Sequence, residues 1–269
     1  MTELETLQTQ GFVKLENLIE SKTCKYLIKE ASHIYQSRVE AGSFVGSLTN
    51  ILLYSPFFDS KGFMDILLLP KIHRMLRTLI DDDFTLMHYV AVNRSLTATA
   101  CLDKHIRASL PKNVAADKWH VDSRYNNNRR LGDGFSFILI IALDNFTIEN
   151  ATQVVPLSHL CRDKPNPFSD YNYQSLTLTK GDAILMDSGL WHRGGNAIEP
   201  SRWGIHLFFA PWFVKPYYDY PARGLPDFAD DYSAYEMSLI RKLLHYNSTP
   251  PESEVTRIKT VIPYNYEQH

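Results

Sequence analysis

Two histidines and an aspartate open the functional reading. His120 and Asp122 stand two apart in KWHVDSR, and His192 follows 70 residues after Asp122, in MDSGLWHRGGN. In an extended segment, residues i and i+2 leave the same face, so His120 and Asp122 can reach one point. Two imidazoles and one carboxylate suit the facial set of non-haem iron(II) oxygenases, which leaves positions open for a bidentate cosubstrate and for O2. Each part alone is weak. An HxD pair is also a common surface hydrogen-bonded pair, and a histidine beside Gly-Gly also fits a plain turn.

A fourth residue gives the set something to hold. Arg202 comes ten residues after His192, in SRWGIHLFFAP. Alternation puts Arg202, Gly204, His206 and Phe208 on one face of that strand, and Trp203, Ile205, Leu207 and Phe209 on the other. An inward arginine needs an anionic partner, and its planar fork grips a carboxylate through two parallel hydrogen bonds. The distal carboxylate of 2-oxoglutarate is such a partner. A surface pair with Glu199 is the plainer alternative.

The elements that must position these residues fall into three stretches. The first is helical: Ser21 is expected to cap a helix carrying Tyr26, Leu27, Ala31 and Ile34 on one face and ending near Gly42. Further helices are expected over 61–69 and after Pro70, where Ile72, Met75, Leu76 and Leu79 recur at helical spacing. From Phe84 the period changes. FTLMHYVAVNRSL and FSFILIIAL (135–143) read as strands, followed by short strands at 153–155, 175–178, 183–186 and 203–209. Turn signals at Asn150, Pro156, Lys180-Gly181 and Gly194-Gly195 separate them. Many short strands at close spacing indicate a sandwich or a double-sheet jelly roll. A last helix is expected over 232–245, after a proline-rich connection.

The chain of 269 residues thus reads as one domain: a helical part to about 82, a β core over about 84–212 and a helical tail over about 213–269. Hydrophobic residues at 44% and charged residues at 22% are proportions of a globular protein, which excludes a largely disordered chain. A net charge of −2 argues against nucleic acid as a partner, and Arg129-Arg130 is too small a basic cluster to change that. Cys24, Cys101 and Cys161 are scattered without a CxxC pair, so neither a disulfide framework nor a thiolate zinc site is expected. The N-terminus carries no secretory pattern and no apolar run is long enough to span a bilayer, which gives a cytoplasmic expectation. Oligomeric state is not readable.

Four blocks together resemble the phytanoyl-CoA hydroxylase-like iron(II)/2-oxoglutarate dioxygenases. GFVKLENLI is similar to that family's lead-in strand, WHVDSR to its HxD block, IENATQVVPLSH to its turn and strand ending in Pro-Gly-Ser-His, and GDAILMDSGLWHRGGNAIEPSR to its distal His and Arg block. The resemblance spans residues 11 to 210 and implies a mainly β fold with flanking helices, a double-stranded β-helix (jelly-roll, cupin-like) core. It implies that His120, Asp122 and His192 ligate Fe(II), that these are the catalytic residues, and that Arg202 anchors 2-oxoglutarate. It also implies O2-dependent hydroxylation of an unactivated C–H bond of a small-molecule metabolite, with release of succinate and CO2. Asn93 stands where such proteins often place a polar side chain near the cosubstrate; a strand-edge asparagine is the alternative.

Three positions depart from the family pattern. Ala151 and Leu157 stand where glycine is common, and Gly204 stands where some relatives have a serine on the same carboxylate. His206, on the Arg202 face, is the expected substitute for that hydrogen bond. The retained Asp122 favours oxidation over halogenation, because related halogenases lack the carboxylate. His159, in the PLSH turn, reads as a structural histidine. Acyl-CoA is not implied by the family name alone, since fold is a poor guide to substrate. The polar segment 124–130 reads as a loop, with lid and recognition roles as alternatives. Two other classes remain open at this point: a jelly-roll carbohydrate-binding module without redox catalysis, and a zinc hydrolase using the same three ligands.

Overall fold

A computed structural model describes residues 1–43, 46–47, 50–95, 118–123, 135–161, 163–198 and 201–245. Cys101, Glu199 and the polar segment 124–130 lie outside these residues. The chain forms two compact units divided between Tyr218 and Asp219.

In the first unit, helix α1 (Glu3–Gln10) starts on a capping box: Thr2 Oγ1 accepts from Glu5 N, and Glu5 Oε2 accepts from Thr2 N. The Thr-x-x-Glu signature for it was in the sequence. After β1 (Phe12–Leu15) comes α2 (Ser21–Glu40), which buries Cys24, Leu27, Ala31 and Ile34. The expected Ser21 cap is corrected here. Ser21 is already helical, Glu20 takes the extended cap geometry (φ −71, ψ 148), and no side chain caps the turn. The expected second helix divides into α3 (Lys61–Asp65) and a 3-10 turn over Ile66–Leu68. Pro70 occupies the first turn of α4 (Pro70–Leu79), where its missing N–H costs nothing.

Seven antiparallel strands form the larger sheet, in the order β1-β8-β5-β10-β4-β3-β2. They are β2 (Gly46–Ser47), β3 (Asn50–Tyr54), β4 (Phe84–Arg94), β5 (Phe137–Ala142), β8 (Ala183–Asp187) and β10 (Arg202–Pro211), with β1 at the edge. A smaller antiparallel sheet has the order β7-β6-β9, from β6 (Gln153–Val154), β7 (Gln174–Ser175) and β9 (His192–Arg193).

The central strands are buried on both faces, which is why 137–143 reads as unbroken apolar sequence. On the inner face, Ile138, Ile140, Ala142, Ile184, Met186 and Phe208 pack with Val154, Leu176 and Leu178 in one apolar cluster. On the outer face, Tyr89 packs tilted against Phe57 and edge-to-face with Phe63, and donates its hydroxyl proton to Phe63 O at 3.0 Å. Each fully buried side chain of this size contributes about 1.5–3 kcal/mol.

In the second unit, a helix over Ala234–Leu243 starts on the Ser233/Glu236 capping box and buries Ile240 and Leu243. It lies inside the expected span 232–245. Among the described residues, no helix is long and apolar enough to cross a membrane.

Candidate metal centre

His120 sits on an isolated antiparallel bridge rather than in a full strand. Its N–H donates to His192 O and the His192 N–H donates to His120 O, each at 3.0 Å. Past this bridge the chain bends at Asp122, where the amides of Asp122 and Ser123 both donate to Ser188 O at 3.2 Å. Ser188 is itself tied to Ser136 through a backbone bond of 3.0 Å and a hydroxyl pair at 2.5 Å. The turn after β8 therefore sets where the carboxylate points. Sequence reading passed over Ser188 because its contribution is a backbone carbonyl, which no side-chain pattern reveals.

The expected triad converges. Ligand-capable atoms of His120, Asp122 and His192 lie within 4.8 Å of one another. His120 Nε2 and His192 Nε2 are each 3.5 Å from a different oxygen of Asp122. That is longer than an ordinary hydrogen bond and leaves the three groups around a shared point. Both imidazoles are oriented from behind: His120 Nδ1 lies 2.9 Å from Lys118 O, and His192 Nδ1 lies 2.9 Å from Leu190 O. An Nδ1–H donating to a carbonyl fixes the tautomer whose Nε2 lone pair is available to a metal.

The three groups are also electrostatically coupled. Burial raises the Asp122 pKa, but His192, His120 and His206 outweigh it and hold the carboxyl at about 2. Burial lowers the His192 pKa, yet Asp122 reverses this and raises it above the ordinary value. One carboxylate and two imidazoles converging on one point fit a divalent first-row metal.

These residues open onto a cavity of about 510 Å³ that also takes in Arg202, Arg94, His206 and His88. Arg202 is buried, its Nε donates to Asn150 O at 2.8 Å, and its guanidinium lies 3.7 Å above the Phe146 ring. Gly204 makes this possible, since a Cβ there would come within 2.9 Å of Phe146 Cζ. His206 lines the cavity as alternation required, and its Nε2 has no hydrogen-bond partner among the described residues. Burial, then Arg202, hold its pKa down to about 3, so the imidazole is neutral.

Asn93 does not join the site. It is buried away from the cavity, donating Nδ2 to Ser201 Oγ at 3.3 Å. The inward position is Arg94, paired across the sheet with Arg202, with Nε donating to Gly195 O at 2.6 Å and Nη1 to Asn50 Oδ1 at 3.3 Å. His159 lies in a 3-10 turn with Nε2 3.0 Å from Gln8 O and is not among the residues that line the cavity.

Comparison with known proteins decides the family. The model of the phytanoyl-CoA dioxygenase family matches residues 7–198. The chain belongs to the phytanoyl-CoA dioxygenase family. The matched span contains all three triad residues, and Arg202 follows just beyond it. Solved structures share the fold at low identity. HygX from Streptomyces hygroscopicus with nickel and 2-oxoglutarate is 13% identical, with TM-score 0.61 over 81% of this chain and 90% of that one. The epimerase SnoN, in complex with Fe3+, alpha ketoglutarate and nogalamycin RO, is 14% identical, with TM-score 0.59 over 78% and 82%. The non-heme monooxygenase ThoJ, as a nickel complex, is 15% identical, with TM-score 0.59 over 81% and 80%. The jelly-roll, cupin-like fold is thereby established. A phytanoyl-CoA dioxygenase family member with two histidines and one aspartate gathered in this fold is an iron(II)- and 2-oxoglutarate-dependent oxygenase.

Proposed function

We propose that the protein hydroxylates an unactivated C–H bond of a small molecule, with His120, Asp122 and His192 as iron ligands and Arg202 as the anchor of 2-oxoglutarate. The observation that carries this reading is the opening of triad and buried arginine onto one cavity. Bound iron with 2-oxoglutarate supplies the oxidising power, O2 being consumed as 2-oxoglutarate is decarboxylated to succinate and CO2. The chain supplies the rest. Lys118 O and Leu190 O hold the imidazoles in one tautomer. Asn150 O and Phe146 aim the guanidinium at a carboxylate entering the cavity. His206, neutral and facing the same space, offers a hydrogen bond in place of the serine that Gly204 lacks.

Similar folds serve more than one outcome, since SnoN is described as an epimerase and ThoJ as a monooxygenase. The retained Asp122 supports oxygen insertion over halide transfer. SnoN and HygX have been crystallised with nogalamycin RO and hygromycin B, which favours a small-molecule substrate here.

Succinate release tests the reading. The wild-type protein is expected to turn 2-oxoglutarate over slowly without substrate and faster with a hydroxylatable one, only with Fe(II) and O2. His120→Ala should lose iron. Arg202→Ala should keep iron but need at least about tenfold more 2-oxoglutarate, a loss of ~1.4 kcal/mol or more from a charge-assisted pair. Iron binding without any 2-oxoglutarate consumption would favour a binding module over an enzyme.

A further inference from the structure

The cavity has two chemically different ends. Across β4 and β10, Arg94 faces Arg202 at one end, and His88 faces Phe208 at the other. Six residues separate the two pairs, about 20 Å at ~3.3 Å per residue. Both arginines among the described lining residues sit at the first end. The second end is aromatic. Tyr54 lies 5.5 Å from His88 between ring centroids, and both line the cavity with Tyr217. Tyr218 backs this wall, stacked on His88 at 5.7 Å and 29° and 6.1 Å from Tyr54.

Packing of the segment after β10 accounts for Tyr218 behind His88. It does not account for cavity-lining side chains whose polar atoms have nothing to bond. Among the described residues, neither the His88 ring nitrogens nor the Tyr54 hydroxyl has a hydrogen-bond partner. A wall of ring faces carrying unused polar groups is suited to a ligand that offers a ring and a hydrogen bond together. The cationic end is committed to the cosubstrate's carboxylate, so no lysine or arginine among the described lining residues remains to attract a charged substrate here.

Resting on the oxygenase reading above, we propose that the His88 end binds the primary substrate. That substrate is a neutral, ring-bearing molecule whose ring lies against Tyr54 and His88 and whose hydroxyl or carbonyl hydrogen-bonds the His88 imidazole. His88 is then a specificity-determining residue, not an iron or cosubstrate ligand. Burial holds its pKa below the ordinary histidine value, with Asp122 opposing, so the ring presents one donor and one acceptor.

The test uses the full chain loaded with Zn(II), as a diamagnetic stand-in, and saturating 2-oxoglutarate. Binding of 4-hydroxybenzamide, a neutral ring probe, and of 4-hydroxybenzoate, its anionic counterpart, is followed by ligand-observed NMR. The amide is expected to bind more tightly than the acid. In His88→Ala its affinity should fall about tenfold, the loss of one hydrogen bond and a ring contact. Tyr54→Phe, which keeps the ring, should lose less than His88→Ala. Anaerobic Fe(II)·2-oxoglutarate absorption must match wild type in both variants, which shows that they fold and hold the cosubstrate. No amide binding to wild type, equal binding by His88→Ala, or preference for the acid would overturn the inference while leaving the oxygenase reading intact. Absence of the Fe(II)·2-oxoglutarate band from wild type would instead defeat the oxygenase reading on which it rests.

Discussion

At the scale of single residues, the placement of Arg202, the proposed anchor, depends on a side chain that is missing. Gly204 leaves room for Phe146, and Phe146 carries the Arg202 guanidinium on its face. A serine here would force Phe146 aside. Gly204→Ser is therefore expected to weaken 2-oxoglutarate binding by about tenfold, through loss of the cation–π support and displacement of the fork. Metal affinity should stay at the wild-type level; titration of the Fe(II) protein with 2-oxoglutarate separates the two. Unchanged 2-oxoglutarate affinity would show that Phe146 is not needed to position Arg202. The inner-face set Arg202, Gly204, His206 and Phe208 was legible because one strand's alternation is local. Whether Asn93 or Arg94 faces inward was not, because cross-strand register is nonlocal and one residue of slip flips the face. A register shift between Phe208 and Phe209, which leaves Met87 as an extra residue of β4, breaks the count further.

At the scale of elements, the turn before His159 stores strain that a glycine would avoid. Leu157 takes φ +66 and ψ −6, and its side chain is half exposed. A left-handed conformation costs a branched residue about 1–2 kcal/mol, part of which glycine returns through unfolded-state entropy of ~0.4–1 kcal/mol. Leu157→Gly is expected to raise the melting temperature by about 2 °C, and Leu157→Val to lower it; thermal unfolding of both checks this. A drop for the glycine variant would mean that Leu157 packing outweighs the strain. The long strands were readable from β-branched and aromatic runs. The small sheet was harder, since β6, β7 and β9 have two residues each and owe their pairing to partners distant in sequence. The same holds for the His120–His192 bridge, which holds the HxD block without a full strand.

At the scale of the molecule, the larger sheet supplies the cavity wall and the smaller sheet brings His192 to it, opposite His120. The three residues of the proposed metal site stood out in the sequence by type and spacing only together with the family resemblance, and the structure gathers their ligand-capable atoms within 4.8 Å of one another. The carbonyls that orient them, and the division of the cavity into cationic and aromatic ends, emerge only once both sheets are assembled. The most direct measurement is anaerobic addition of Fe(II) to the protein with saturating 2-oxoglutarate, followed by visible absorption. The account predicts a weak metal-to-ligand charge-transfer band that saturates at a single iron per chain and is missing from His192→Ala. A wild-type protein that gives no band, with iron found unbound at saturation, would contradict it.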